Sequence, residues 1–181
     1  MKKIIKHSLA VAALLVLVAS PAWAGTSVKT TSDVFLASDG ITVVGSSTLV
    51  RTAQGISMTI KTTGLPAGHA VTVWFCIVRF DDVGEFLSFD CVRAAGHVVG
   101  ADGKLNAAGA VKVGDASTSI APTFGADGRG LLDPYHEWVT LVVRDHGPAV
   151  PGQVPKQIHT FQPDCATCAD PDPQFSDHPA S

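Results

Sequence analysis

The sequence predicts an all-β fold, an antiparallel β-sandwich with an open β-barrel as the alternative, stapled by disulfides. Residues 70–78 are an unbroken run of apolar and β-branched side chains, which favours a central strand covered on both faces. Residues 56–63 alternate between larger, mostly apolar side chains and polar ones, as in a strand with one solvent-exposed face. Beyond residue 24 no stretch keeps a helical period, and Gly, Pro and Asp turns separate many short strands.

The first 24 residues are predicted to be a signal peptide of bacterial style. Three lysines lie within residues 2–6, and they precede an apolar core, Leu9–Ala19, that is too short to span a bilayer. The small residues around Trp23 suit signal peptidase, so we expect cleavage after Ala24. The remaining sequence has no second long apolar stretch. We therefore expect a secreted or periplasmic protein that does not insert into the membrane after cleavage.

The chain that remains after cleavage has the length of one domain. It would keep 157 of the 181 residues, and we expect a single β-domain over 25–161 followed by a polar, cysteine-containing tail over 162–181. Removing three lysines from a chain of net charge −3 leaves a charge of −6. A mildly acidic chain without a basic cluster is a poor partner for nucleic acid or for an anionic membrane.

Four cysteines predict two disulfides in an exported protein. We expect the pairs Cys76–Cys91 and Cys165–Cys168, of which the first would tie the central strand to the far side of the loop that follows it. Buried free thiols are the alternative. Cys165-Ala-Thr-Cys168 also has the spacing of a redox dithiol, but it lies in a Pro- and Asp-rich tail rather than at the start of a helix. A structural disulfide is the favoured interpretation there.

The remaining elements follow from β-branched runs and turn residues in chain order. Before the central strand we expect strands at 34–36, 41–44 and 46–51, with a bulge at Gly45, and the strand at 56–63 as its antiparallel neighbour. Asp-Gly pairs readily adopt positive φ and therefore predict a hairpin turn at 100–103. After the central strand we expect a loop at 81–89, strands at 97–100, 105–113, 137–144 and 157–161, and an irregular tail.

Two short motifs carry a resemblance. Residues 64–80 read GLPAGHAVTVWFCIVRF, and residues 144–148 read RDHGP. The chain resembles uncharacterised secreted bacterial β-proteins that combine a Gly-Leu-x-Pro-Gly-His turn and an aromatic strand with a later Arg-x-His-Gly-Pro loop. Ala67 is an additional residue within the turn, and the strand has one aromatic residue fewer than that pattern. The resemblance implies an exported β-protein and supplies no catalytic residues.

Arg144, Asp145 and His146 form the candidate ligand site, because they end a strong strand, where functional loops gather. Histidine binds metals, and neighbouring strands place His69 and His97 at the same predicted rim, with His159 as a further possibility. We therefore consider a zinc or copper site made by His146, His69 and His97. The alternative is structural: Asp145 caps the turn and His146 donates to a backbone carbonyl.

Three functional hypotheses remain. The leading one is a non-catalytic binding or structural module for an unknown ligand or protein, without a cofactor. The second is a metal-binding protein or metalloenzyme that uses His146 with other histidines. The third is a hydrolase with spatially paired carboxylates. The sequence contains no G-x-S-x-G nucleophile motif and no D-x-[DN]-x-[DN]-G calcium loop.

Overall fold

The computed structural model describes residues 25–120, 126–162 and 172–181. Within these ranges no helix is long and apolar enough to cross a membrane. The described residues contain eight strands and one short helix: β1 (Val28–Leu36), β2 (Val43–Thr52), β3 (Gly55–Thr62), β4 (His69–Phe80), β5 (Phe86–Val98), β6 (Leu105–Lys112), β7 (Trp138–Pro148), α1 (Val154–Gln157) and β8 (Gln174–His178).

All eight strands belong to one antiparallel sheet in the order β5-β4-β7-β8-β1-β2-β3-β6. The two edge strands approach each other, since a Cβ at Gly109 of β6 would lie 2.7 Å from the backbone oxygen of Ala94 in β5. The sheet therefore curls into a nearly closed barrel. The predicted all-β class is confirmed, with the barrel named as its alternative, and so is the disulfide between Cys76 and Cys91.

Strand β4 is covered on both faces, as its sequence predicts. One face points into the barrel, where Val71, Val73, Phe75 and Ile77 are buried in the main core. The opposite face packs outside the barrel in a second apolar cluster. That cluster joins Trp74 and Cys76 to Cys91, Ile120, Phe89, Ala126, Val142 and Phe161. Segments of chain are therefore strapped over the outer surface of β4 and β5.

The expected pairing of residues 56–63 with the central strand is wrong. Strand β3 pairs with β2 and β6, whereas β4 pairs with β5 and β7. The connection from 63 to 68 does not form a hairpin, because β3 and β4 are not neighbours in the sheet. Gly64 and Gly68 both take positive φ in this connection, and Leu65 is buried between them. The Leu65 amide donates to the Gly103 carbonyl instead. The chain therefore crosses the barrel end before β4 begins.

The prediction of an irregular tail is wrong for residues 174–178, which form β8 between β7 and β1. Gln174, Ser176 and His178 point inward and are buried. Because these inward side chains are polar, the segment lacks the apolar alternation by which a strand is recognised. Cys165 and Cys168, and with them the second expected disulfide, lie outside the described residues.

Two further boundaries differ from expectation. The predicted strand at 157–161 is wrong, because α1 ends at Gln157 with a proline in its first turn and a bend follows it. The predicted loop at 81–89 is shorter, because β5 already begins at Phe86. The Asp81 carboxylate accepts the amides of Val83 and Glu85, which confines the turn to 81–85.

Candidate functional site

The two sequence motifs meet at one end of β4 and β7. His69 begins β4, and its Nδ1 lies 2.9 and 3.0 Å from the two carboxylate oxygens of Asp145. The same carboxylate accepts the amide of Gly147 at 2.8 Å, and Gly147 takes positive φ. Asp145 is only 6% exposed, whereas His69 is 24% exposed. The histidine of the first motif thus pairs with the aspartate of the second at the barrel rim.

His146 lies on the outer face of the sheet in a hydrogen-bonded chain. Trp74 Nε1 donates to Thr72 Oγ1 at 2.8 Å, and that hydroxyl lies 2.7 Å from His146 Nε2. Because Thr72 accepts from Trp74, its own proton is available to His146 Nε2. Burial, and then the nearby Arg144, lower the pKa of His146 against the opposing effects of Asp145 and a backbone hydrogen bond to Gln162. These contacts favour the neutral imidazole.

Arg144 and helix α1 hold the segment that follows β7 against the sheet. The Arg144 guanidinium lies 4.8 Å from the centre of the Phe161 ring, within cation–π range. The buried Gln157 amide donates to the Pro148 carbonyl at 3.0 Å and accepts the Val150 amide at 3.0 Å. Arg144, Asp145 and His146, the expected ligand residues, therefore contact other residues of the protein.

The structure does not bring the three expected metal ligands together. His69 pairs with Asp145 on the inner face, His146 faces outward, and His97 is exposed on β5. In the part of the chain that the structure describes, no three His, Cys, Asp or Glu side chains are close enough to hold a metal ion.

A buried polar network inside the barrel gave no signal in the sequence. His178 Nε2 lies 2.8 Å from Ser47 Oγ, which also lies 2.6 Å from Ser176 Oγ, while His178 Nδ1 lies 2.8 Å from Thr30 Oγ1. Burial, with a smaller effect from Arg51, lowers the pKa of His178 to about 4. Ser47 and His178 have the spacing of a nucleophile and its base, but they are 2% and 0% exposed. Substrate has no direct access to them.

A concavity lies on the outside of the barrel, and we call it the Trp74 pocket. It has a volume of about 440 Å³ and opens over the outer face of β4 and β5. Its walls are two segments, 117–120 and 159–162. It is lined by Trp74, Arg93, Ser117, Thr118, Ser119, Ile120, His159, Thr160, Phe161 and Gln162.

Each wall of the Trp74 pocket is anchored to the sheet. The first runs beside β5, where the Ile120 amide donates to the Cys91 carbonyl at 3.0 Å. Just before the second wall, Ile158 packs against Gly96. A Cβ added at Gly96 would lie only 2.7 Å from the Cβ of Ile158. Phe161 then meets Trp74 edge to face, with ring centres 5.3 Å apart. The cavity therefore has an apolar floor and walls fixed by the barrel.

Two of the hydroxyls around this pocket donate their protons to other groups of the protein. Ser119 donates to the Asp90 carboxylate at 2.5 Å, and Thr160 to the Gln162 carbonyl at 2.8 Å. The Thr160 oxygen keeps lone pairs that can accept a hydrogen bond. Sequence reasoning missed this pocket because it combines β4, β5 and two loops that are distant in the chain.

No protein-family model matches the chain, and neither a curated protein nor a solved structure is found to be similar to it.

Proposed function

We propose that this protein is an exported, disulfide-bonded β-barrel that binds a small ligand in the Trp74 pocket and acts without catalysis. The observation that carries the proposal is the pocket itself, a concavity of about 440 Å³ on an apolar floor of Trp74 and Phe161. Small-molecule sites are typically concave, largely preformed and mostly apolar, with a few placed polar groups. The Trp74 pocket shares the concave shape and has aromatic side chains at its floor, while most of its other lining residues are polar.

The use made of the reactive side chains supports binding over catalysis. His146, Asp145 and Arg144 make contacts that hold the barrel end and the 157–162 segment in place. The inner pair of Ser47 and His178 is buried away from solvent. A general acid or base must reach the proton it transfers in a substrate complex. These groups support the fold that shapes the pocket.

Export is part of the proposal and rests on the sequence. The lysines, apolar core and small residues of 1–24 match a cleavable signal, and the Cys76–Cys91 disulfide is compatible with an oxidising compartment. A binding protein outside the cytoplasm needs no energy source in its own domain. The ligand would be met in the periplasm or the medium.

A fragment screen by amide NMR tests the proposal. We expect hits that shift the amides of 117–120 and 159–162 in the wild-type protein. Ser117→Trp would fill the cavity from an exposed wall position and abolish those shifts, whereas Thr59→Trp, on the exposed face of β3, would leave them unchanged. A library whose hits all map away from the two walls, or that survive Ser117→Trp, would contradict the proposed function.

A further inference from the structure

We propose that the Trp74 pocket takes a small organic anion, a carboxylate carried on an apolar body, and that Arg93 binds the carboxylate. This inference rests on the proposed function and adds the class of ligand. It is carried by a cation and apolar side chains that line one cavity: Arg93, which is paired with Trp74 in the β4–β5 register, together with Phe161 and Ile120.

Arg93 differs from the other arginines of the described chain. It lies opposite Trp74 in the β4–β5 register, is half-buried, and makes no side-chain hydrogen bond or ion pair within the described residues. An arginine presents five N–H donors in a planar fork that matches a carboxylate. The other arginines bind carbonyls, carboxylates or a ring: Arg51, Arg79, Arg129 and Arg144.

The surroundings of Arg93 favour an anion with an apolar body over a purely polar one. Two carboxylates that hydrogen-bond to the 117–120 wall are already occupied: Asp90 accepts Ser119 and the Gly130 amide, and Asp115 accepts Ser117. Phe161 is partly exposed and supplies aromatic surface to the cavity, and it packs against Trp74, which is only 1% exposed. A carboxylate on Arg93 would thus place a ring or short aliphatic chain against these side chains.

His159 and Thr160 add acceptors at the 159–162 wall. His159 Nδ1 contacts the Pro155 carbonyl, so in the neutral ring this nitrogen carries the proton and Nε2 is an acceptor. Thr160 likewise donates within the fold. A hydroxyl or amine on the ligand would therefore find partners there, and we expect a hydroxy- or amino-substituted aromatic acid to bind more tightly than the unsubstituted acid.

The test is calorimetric titration of the mature protein with benzoate and with benzamide, which has the same shape without the charge. We expect benzoate to bind at least about tenfold more tightly, since hydrogen bonds to charged groups typically contribute more than a factor of ten. Arg93→Met should weaken benzoate at least about tenfold and leave benzamide unchanged. Lys61→Met, which removes an exposed cation on β3, should change neither.

The other outcomes separate the anion inference from the proposed binding function. Equal binding of the two compounds in the pocket, insensitive to Arg93→Met, would overturn the anion inference and leave the proposed binding function standing. Failure of both compounds, together with a fragment screen without hits in the pocket, would overturn both. Should Arg93→Met not fold, the Arg93 Nε–H resonance of the wild type decides: we expect it to shift with benzoate and not with benzamide, and an unchanged resonance refutes the role of Arg93.

Discussion

The contact between Gly96 and Ile158 gives the sharpest prediction about how the pocket wall is held. Gly96 lies on the outer face of β5, opposite Thr72 of β4. A Cβ there would lie 2.7 Å from Ile158 Cβ and 2.9 Å from its Cδ1, which is closer than side-chain carbons approach. Gly96→Ala must therefore push the segment after α1 away from the sheet.

The sign of the Gly96→Ala effect separates packing from backbone entropy. The φ of Gly96 is not in the left-handed region, so alanine without a clash would stabilise the protein by about 0.4–1 kcal/mol. Overpacking against Ile158 costs about 1–3 kcal/mol instead. We expect Gly96→Ala to destabilise the protein and to weaken any ligand of the Trp74 pocket.

A double-mutant cycle in urea supplies the control. Ile158→Ala alone should cost about 1–2 kcal/mol, because the side chain is half-buried. Since it also removes two of the three close contacts, the double variant should be at least about 1 kcal/mol more stable than the sum of the single effects. Strict additivity, or stabilisation by Gly96→Ala alone, would refute the packing of Ile158 against Gly96 of β5.

Three further predictions concern the barrel itself. Arg51→Met removes a buried guanidinium that donates to the carbonyls of residues 134, 137, 178 and 179, so it should lower the free energy of unfolding in urea by at least about 3 kcal/mol. The control Lys61→Met should leave that free energy unchanged, and equal stability of the two variants would contradict the role of Arg51. The pKa of His178 is about 4 in the fold against an ordinary 6.5, so the stability that its neutral form contributes is complete above pH 6.5 and declines by about 3 kcal/mol as the pH falls towards 4. His178→Gln should flatten the profile of unfolding free energy against pH, and an unchanged profile would refute the lowered pKa of His178. Replacing Cys76 and Cys91 by serine opens a loop with a sequence separation of 15 and should lower the free energy of unfolding by about 3 kcal/mol, as should adding reductant to the wild type. A melting temperature that reductant does not change would contradict this.

The elements that the sequence predicts well are those whose side chains report their surroundings directly. The central run becomes β4 because the apolar residues on both of its faces must be covered. The main core covers one face, and the second apolar cluster, which contains Trp74, covers the other. Cys76 and Cys91 are directly opposite in the β4–β5 register, so the disulfide predicted from the number of cysteines joins two neighbouring strands.

The strand order and β8 lie beyond local reasoning. Strand β8 places Ser176 and His178 inside the barrel, where Ser47 and Thr30 satisfy them across the sheet, so its stability depends on partners distant in the chain. The turn before β4 reads as a hairpin, but its Leu65 amide pairs with residue 103. Such pairings are tertiary, and single-sequence periodicity does not contain them.

The candidate site shows the same division. The sequence directs attention to Arg144, Asp145 and His146, and the structure joins them to His69, Thr72 and Phe161 through contacts within the fold. Arg93 has no motif around it. Its interest comes from sharing a cavity with Trp74 and Phe161, a juxtaposition that only the register and the strapped loops create.

The position of the ligand site is tested most directly by an NMR search for NOEs between benzoate and the protein. We predict contacts from the ring protons of benzoate to the side chains of Trp74 and Phe161, with amide shifts at 117–120 and 159–162. NOEs to residues at the barrel rim, such as His69, with none to Trp74 or Phe161, would place the ligand site elsewhere and contradict the central claim.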